Sequence, residues 1–307
     1  MEQATRGMKK RTIEHNINQK IDRWLTTVKV GETEEQQKAF RDQVKRSVIV
    51  TGGAITSMLL GQLPNDYDVY FSDVDVACSI AAYYLKSLVK TDKVSDVNVR
   101  PLEDRSGVQI RIKSAGVAFS ENQSFSDYQY FEYSDPSVVS NYFNKINYEP
   151  KADSFTAVMI SSNAISLSDQ IQLITRFVGP VENIHQNFDF SHCTNYWTAE
   201  KGVVFNTEAL EYTLSKQLVY KGTKFPICSL FRLRKFIERG WTITAGEIFK
   251  IAYDVSKLDL QDREVLAEQL IGVDQAYFGE ILSIINNDKD KPLDRTYLFE
   301  LVSRVFD

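Results

Sequence analysis

The sequence predicts an α+β protein: N-terminal helices, a mixed sheet of short strands, then an all-α C-terminal domain. Three observations carry this. Over residues 12–28 the apolar positions Ile13, Ile17, Ile21, Trp24, Leu25 and Val28 recur three or four apart, which makes one helical stripe. Between Ser47 and Phe177 short β-branched and aromatic runs alternate with turn residues. From about Thr194 the pattern turns to longer helical segments. Domain bounds of 1–46, 47–194 and 195–307 follow.

The elements are expected in this order. Residues 12–28 and Glu34–Arg46 form helices, the second mostly charged. Ser47–Thr51 is an apolar strand, broken by Gly52-Gly53. Ile55, Met58 and Leu59 share one face of a short helix that Gly61 closes. Pro64-Asn65 is a turn, Asp66–Phe71 a strand and Val74–Val89 a helix. Strand-like runs follow at Val94–Val99, Val108–Ile112, Tyr128–Tyr133, Phe155–Ile160 and Ile171–Phe177, with loops at Arg100–Gly107 and Gly116–Asp127. Helices are expected at Thr207–Val219, Pro226–Arg239, Ala245–Val255, Asp262–Gln269, Gln275–Ile285 and Arg295–Phe306.

A chain of 307 residues, 43% hydrophobic, can bury a sizeable core. Its net charge of −5 gives no global attraction to nucleic acid, so any such contact needs a local basic patch. Cys78, Cys193 and Cys228 are scattered without a Cys-x-x-Cys pair. That fits a reducing cytoplasmic setting and argues against a disulfide scaffold or cysteine-bound zinc. The basic N-terminus lacks the apolar run of a signal peptide, and no window approaches the ~18 apolar residues of a membrane span. Neither a P-loop nor a Gly-x-Gly-x-x-Gly fingerprint is present.

The chemistry concentrates in Val48–Val69. An apolar strand ends in Gly52-Gly53, a turn of helix follows, and then comes Asp66-Tyr67-Asp68 on the next strand. Residues two apart on a strand share a side, so Asp66 and Asp68 project together while Tyr67 and Val69 enter the core. Two carboxylates so close repel unless a cation lies between them. Mg²⁺ suits them, because it takes hard oxygen ligands and shares its remaining positions with water and substrate phosphates. Gly52 and Gly53 let the backbone approach a phosphate, and Thr56 and Ser57 add hydroxyl donors on the helix.

On these residues the chain resembles the DNA polymerase β superfamily of nucleotidyltransferases, whose signature is Gly-Gly or Gly-Ser followed by Asp-x-Asp. The nearest resemblance is to the tRNA CCA-adding enzyme and bacterial poly(A) polymerase branch. Gly52-Gly-Ala-Ile-Thr-Ser-Met-Leu-Leu-Gly61 keeps that branch's length and register through Asp68. Ile171-Gln-Leu-Ile-Thr-Arg176, Phe188-Asp-Phe-Ser191 and the helix over Phe231–Ile243 are similar to later family segments. The resemblance implies a nucleoside triphosphate substrate, most simply ATP, with Mg²⁺ held by Asp66 and Asp68. It implies transfer of an NMP, AMP in the first instance, to an acceptor hydroxyl such as an RNA 3′ end. A catalytically inactive binding or assembly module is the alternative.

The chain also departs from the family. The Arg-Asp of the first helix is Thr56-Ser57, and the acidic residue of the third strand is Gln172. The base-selecting Glu-Asp-x-x-Arg falls at Phe225-Pro-Ile-Cys-Ser229, without its Asp and Arg, which excludes a CCA-adding enzyme in the strict sense. Asp189 and Glu132 are candidates for the third carboxylate. Asp73 and Asp75 repeat the Asp-x-Asp spacing but lie too far from Gly53 and read as caps of the next helix. The basic residues Arg232, Arg234 and Lys235, with aromatics nearby, are the candidate acceptor-binding patch. Adjacent His192 and Cys193 read as a structural pair, and His15 and His185 as surface or capping residues.

Overall fold

The apolar stripe of the first helix is the inner wall of the protein's larger unit. The computed structural model describes residues 7–86, 94–114, 133–134, 155–160, 164–262, 265–266, 269 and 295–306. Helix α1 (Lys10–Thr27) buries Ile13, Ile17, Ile21, Trp24 and Leu25, and Val28 behind it is also buried. These side chains join one apolar cluster with Val48, Val50, Val69, Phe71, Ile171 and Leu173. The Trp24 indole donates to the Tyr84 hydroxyl at 2.8 Å, which satisfies a polar group inside that cluster. Burial raises the Tyr84 phenol well above its ordinary range.

Helix α2 (Glu34–Ser47) starts on a capping box. The Thr33 hydroxyl accepts from the Gln36 amide, and the Gln36 side chain accepts in return from Thr33 N–H. Then come β1 (Val48–Thr51), α3 (Gly53–Leu59), β2 (Tyr67–Phe71) and α4 (Val74–Lys86). Gly61 is left-handed at φ 74°, and Gly61 N–H and Gln62 N–H reach back to the Met58 and Ser57 carbonyls, closing α3 as the sequence predicts. Asp73 caps α4, its Oδ1 accepting from Asp75 N–H at 2.8 Å and Val76 N–H at 3.3 Å. Asp75 pairs with Arg105 instead.

The remaining strands are β3 (Val94–Pro101), β4 (Val108–Ser114), β5 (Tyr133–Ser134), β6 (Ala157–Ile160), β7 (Ala164–Leu167) and β8 (Ile171–Val178). A short helix α5 (Val181–His185) and a 3₁₀ turn (Ser191–Cys193) lead to the hairpin β9 (Tyr196–Thr198) and β10 (Gly202–Val204). Among the described residues eight strands form one sheet in the order β10-β9-β1-β2-β8-β7-β6-β5. The β2–β8 pair is parallel and its other pairs are antiparallel, so the sheet is mixed. The fold class is α+β, as expected. The β3–β4 hairpin stands as a separate two-stranded sheet.

Several expectations are corrected. The segment after Thr194 does not turn helical at once. Tyr196-Trp197-Thr198 and Gly202-Val203-Val204 pair across a turn and complete the sheet beside β1, with Trp197 buried. Their β-branched and aromatic content is the local reason. Strand β7 was not expected, and Arg100 and Pro101 belong to β3 rather than to a loop. Residues 116–127, 128–132 and 275–285, and with them Glu132, lie outside the described residues.

The chain divides into two compact units, Met1–His185 with His192–Leu214, and Gln186–Ser191 with Ser215–Asp307. After α6 (Thr207–Ser215), the second holds β11 (Gln217–Leu218), α7 (Pro226–Glu238), β12 (Thr242–Ile243), α8 (Ala245–Ser256) and α9 (Arg295–Phe306). The expected helix over Thr207–Val219 stops at Ser215, because Gln217 and Leu218 pair in parallel with Thr242 and Ile243. Phe190, Phe236 and Trp241 pack edge to face in this unit's core.

Because the α1 stripe lies in the sheet's own cluster, Ile17→Ala and Ile21→Ala should each destabilise the fold by about 2–5 kcal/mol. Urea unfolding followed by circular dichroism checks this. Losses below about 0.5 kcal/mol, the range of ordinary surface changes, would show that the stripe is not a core face.

Candidate active site

The corner begins where β1 runs out. Gly52 takes φ 87° and ψ −145°, a conformation open to glycine and strained for other residues. Its N–H donates to the Cys193 carbonyl at 3.1 Å. A Cβ built on Gly52 would stand 2.9 Å from Asp68 Oδ2, so the missing side chain is what admits the carboxylate. On Gly53 a Cβ would meet nothing within 4 Å, and this residue is exposed. The corner therefore has a carboxylate against one glycine and open space over the next.

Strand register sets what flanks Asp68. Thr51 pairs with Asp68 across β1–β2, and Asp68 pairs with Gln172 across β2–β8. Paired residues share a face, so Tyr196, Thr51, Asp68, Gln172 and Ser166 form one row across five strands. Tyr67 and Val69 are buried in the core on the other face, Asp68 is half-buried, and Asp66 is exposed one residue before β2. Burial, then the charge of Asp169, raises the Tyr67 phenol. Asp169 sits in the turn before β8 and is held to α1 by Lys20 at 3.0 Å and Arg23 at 3.3 Å. Helix α1 thus helps to fix the strand that brings Gln172 beside Asp68.

Thr56 does not offer its hydroxyl to the open corner. It is buried, and its single hydroxyl proton is donated to the His192 carbonyl at 3.1 Å. Ser57, half-buried on the same helix, remains a candidate donor. His185 is the residue that sequence reasoning passed over. Its Nε2 lies 2.9 Å from the Thr51 hydroxyl, and its ring meets Tyr196 edge to face. Thr51 Oγ1 also faces the Asn195 carbonyl at 2.8 Å and the Cys193 carbonyl at 3.2 Å. When its one proton goes to a carbonyl, the hydroxyl has lone pairs left to accept from an Nε2–H of His185. No local pattern around His185 signals this; the only hint is its place shortly after the Gln172 strand.

Asp189 lies in the second unit. It is buried, accepts from Arg232 Nη1 at 2.8 Å and Ser229 Oγ at 3.2 Å, and its own carbonyl accepts from Lys221 N–H. Ser229 and Arg232, three apart on α7, both meet it. Arg232 is thereby tied to Asp189, and Arg234 to Glu238 at 3.2 Å. Arg234 and Lys235 are exposed on α7. His192 and Cys193 form a contact of 3.2 Å between Nε2 and Sγ, with the histidine fully buried. Among the described residues the cysteines are free, no three acidic, histidine or cysteine side chains converge to hold a metal ion, and no helix is long and apolar enough to cross a membrane. A divalent ion here would rest on Asp66 and Asp68, with phosphate and water completing its shell, which is the donor set that Mg²⁺ accepts.

Comparison with known proteins adds a family. The model of the "Gabija anti-defense 2 family protein" matches residues 15–216, about two thirds of the chain, and takes in the corner, the whole row and His185. The chain belongs to the Gabija anti-defense 2 family. A curated relative, Gabija anti-defense 2 of Bacillus phage SPbetaL7, is 25% identical over 134 residues, which is 43% of this chain and 32% of the relative. The chain therefore matches only about a third of that relative's length. Two solved structures are similar at a low level. A tRNA-processing enzyme with CTP has a TM-score of 0.37 at 11% identity, covering 88% of this chain and 57% of that one. The Thermotoga maritima CCA-adding enzyme complexed with tRNA has a TM-score of 0.38 at 10% identity, covering 83% and 51%.

The two glycines should respond oppositely to alanine. Gly52→Ala should cost about 1–3 kcal/mol, since it adds backbone strain and a clash with Asp68. Gly53→Ala, at the start of α3 with open space, should leave stability unchanged or raise it by up to about 1 kcal/mol. Thermal denaturation of both variants checks the corner; equal losses would contradict it. In the second unit, Arg232→Ala should cost about 1–2 kcal/mol, discounted because the guanidinium is 44% exposed. Adding Asp189→Asn should bring little further loss, a coupling read from a double-mutant cycle.

Proposed function

We propose that this protein is a Mg²⁺-dependent nucleotidyltransferase and that nucleotidyl transfer is how it serves counter-defence, the role its family's name records. The observation that supports it most is the contact between the Gly52 corner and the Asp68 carboxylate, with open space over Gly53. Asp66 and Asp68 hold the cation, which when bound neutralises triphosphate charge. Gly53 at the start of α3, and Ser57 one turn further along it, receive phosphate oxygens. Thr51, fixed by His185 and the Asn195 carbonyl, holds the strand end that carries Asp68 in register.

The acceptor hydroxyl forms a bond to the α-phosphorus of ATP, the α–β anhydride bond breaks and pyrophosphate leaves. The hydroxyl proton passes to water, because the amide of Gln172 is no base. AMP is the transferred group and an RNA 3′ end the acceptor. Arg234 and Lys235 on α7 are the candidate phosphate contacts of that RNA. Asp189, bound by Arg232 and Ser229, anchors α7 rather than a metal ion.

A second reading has one specific observation in its favour. Gln172 stands in register beside Asp68, so the sheet supplies one carboxylate to the row instead of two. A protein that keeps the corner yet no longer transfers nucleotides would act in counter-defence by binding alone.

Thermal shift separates these readings. Mg²⁺ with ATP should raise the melting temperature of the wild type, and Asp66→Asn with Asp68→Asn should abolish the rise. No shift with any NTP would leave the binding reading. Labelled ATP incubated with total RNA should then yield labelled RNA, lost in Asp68→Ala. Label that survives Asp68→Ala would sink the assigned site.

A further inference from the structure

The second unit carries an open pocket of about 400 Å³ that the transfer site does not use. Its walls include Tyr220, Lys221, Phe249, Lys250, Tyr253 and Asp254. Phe249 and Tyr253 stand four apart on α8 and are 71% and 57% exposed. Two large rings left in water on one helix face forfeit the burial that would stabilise them.

The groups around the rings narrow the occupant. Lys221 is exposed and has no ion-pair partner among the described residues. Lys250 pairs with Glu247 at 2.7 Å. Lys257 pairs with Asp254 at 3.0 Å while its ammonium lies 4.1 Å from the Tyr253 ring centre. Asp254 is the one acid of the wall, and its Oδ2 accepts from the Tyr220 hydroxyl at 3.1 Å. Burial first, and the bond to Asp254 next, push the Tyr220 phenol upward, so it stays a donor.

Exposed rings take a flat base, and unpaired ammoniums take phosphate. A carboxylate repels phosphate but accepts a hydroxyl, which ribose offers and deoxyribose does not. An apolar protein segment would satisfy the rings and leave Lys221 without a partner among the described residues.

We propose that this pocket binds single-stranded RNA, with a base stacked on Phe249 or Tyr253, phosphate on Lys221, and a ribose hydroxyl on Asp254. The proposal rests on the transfer reading for its purpose, since it names where a strand is held, but its measurement does not. Fluorescence anisotropy of a short labelled oligoadenylate, without NTP or Mg²⁺, reads it directly, beside DNA of the same sequence.

Wild type should bind the RNA more tightly than the DNA. Phe249→Ala with Tyr253→Ala should weaken RNA binding by about tenfold or more. Lys221→Ala should weaken it and flatten the salt dependence by about one in the log–log slope. Unchanged affinity in the ring variant, equal binding of RNA and DNA, or no RNA binding at low salt would each overturn the proposal, the last leaving the rings to a protein partner. The Phe249→Ala, Tyr253→Ala variant should keep its thermal shift with Mg²⁺ and ATP. RNA binding lost by the wild type with that shift intact sinks the pocket alone, and RNA binding without any shift sinks the transfer reading alone.

Discussion

The corner at Gly52 depends on a side chain that is not there. Its backbone conformation is one that other residues adopt only under strain, and the space a Cβ would fill is held by Asp68 Oδ2. The two demands reinforce each other. A residue that tolerated the dihedral angles would still displace the carboxylate, and one that spared the carboxylate would still strain the backbone. What keeps the corner closed is the segment His192–Asn195, whose carbonyls receive Thr56, Gly52 and Thr51. That segment comes from more than a hundred residues downstream, so the site is tied to the completion of the sheet by β9 and β10.

The hydrogen-bond arrangement around Thr51 shows how the strand end is made rigid. A threonine hydroxyl has one proton and two lone pairs. The carbonyls of Asn195 and Cys193 stand within reach of the proton, and His185 Nε2 stands 2.9 Å from the same oxygen, placed to meet a lone pair. The result is a buried hydroxyl with its bonding capacity used, next in register to Asp68. Buried polar groups that are satisfied in this way hold one geometry, whereas partly satisfied ones would not.

What the sequence made legible was local. The α1 stripe, the Gly61 stop, the Asp73 cap and the strand–glycine–helix–strand unit each follow from periodicity or from one residue's conformational preference. The hairpin at 196–204 was missed because its strands are three residues each, too short for alternation to declare itself. Helix position offers Thr56 as a phosphate donor because it says which face a residue is on, and not that a carbonyl from residue 192 waits on that face. His185 beside Thr51 and Arg232 against Asp189 are contacts between distant segments. No spacing rule reports them.

Gln172 bears on the electrostatics of the whole row. Three acids converging without a cation would repel strongly in a half-buried setting, and the fold would then lean on bound metal for its stability. With an amide in register beside Asp68, one source of that repulsion is absent, and Asp66 is exposed to water that screens its charge. On the proposed transfer reading, the same substitution weakens the hold on a divalent ion in the absence of substrate. Two carboxylates leave most of the octahedral shell of Mg²⁺ to be filled, and triphosphate oxygens fill it better than water. On the proposed transfer reading, cation and nucleotide would bind as a unit at this corner, each raising the affinity of the other, which is the reciprocity that any linked pair of ligands obeys.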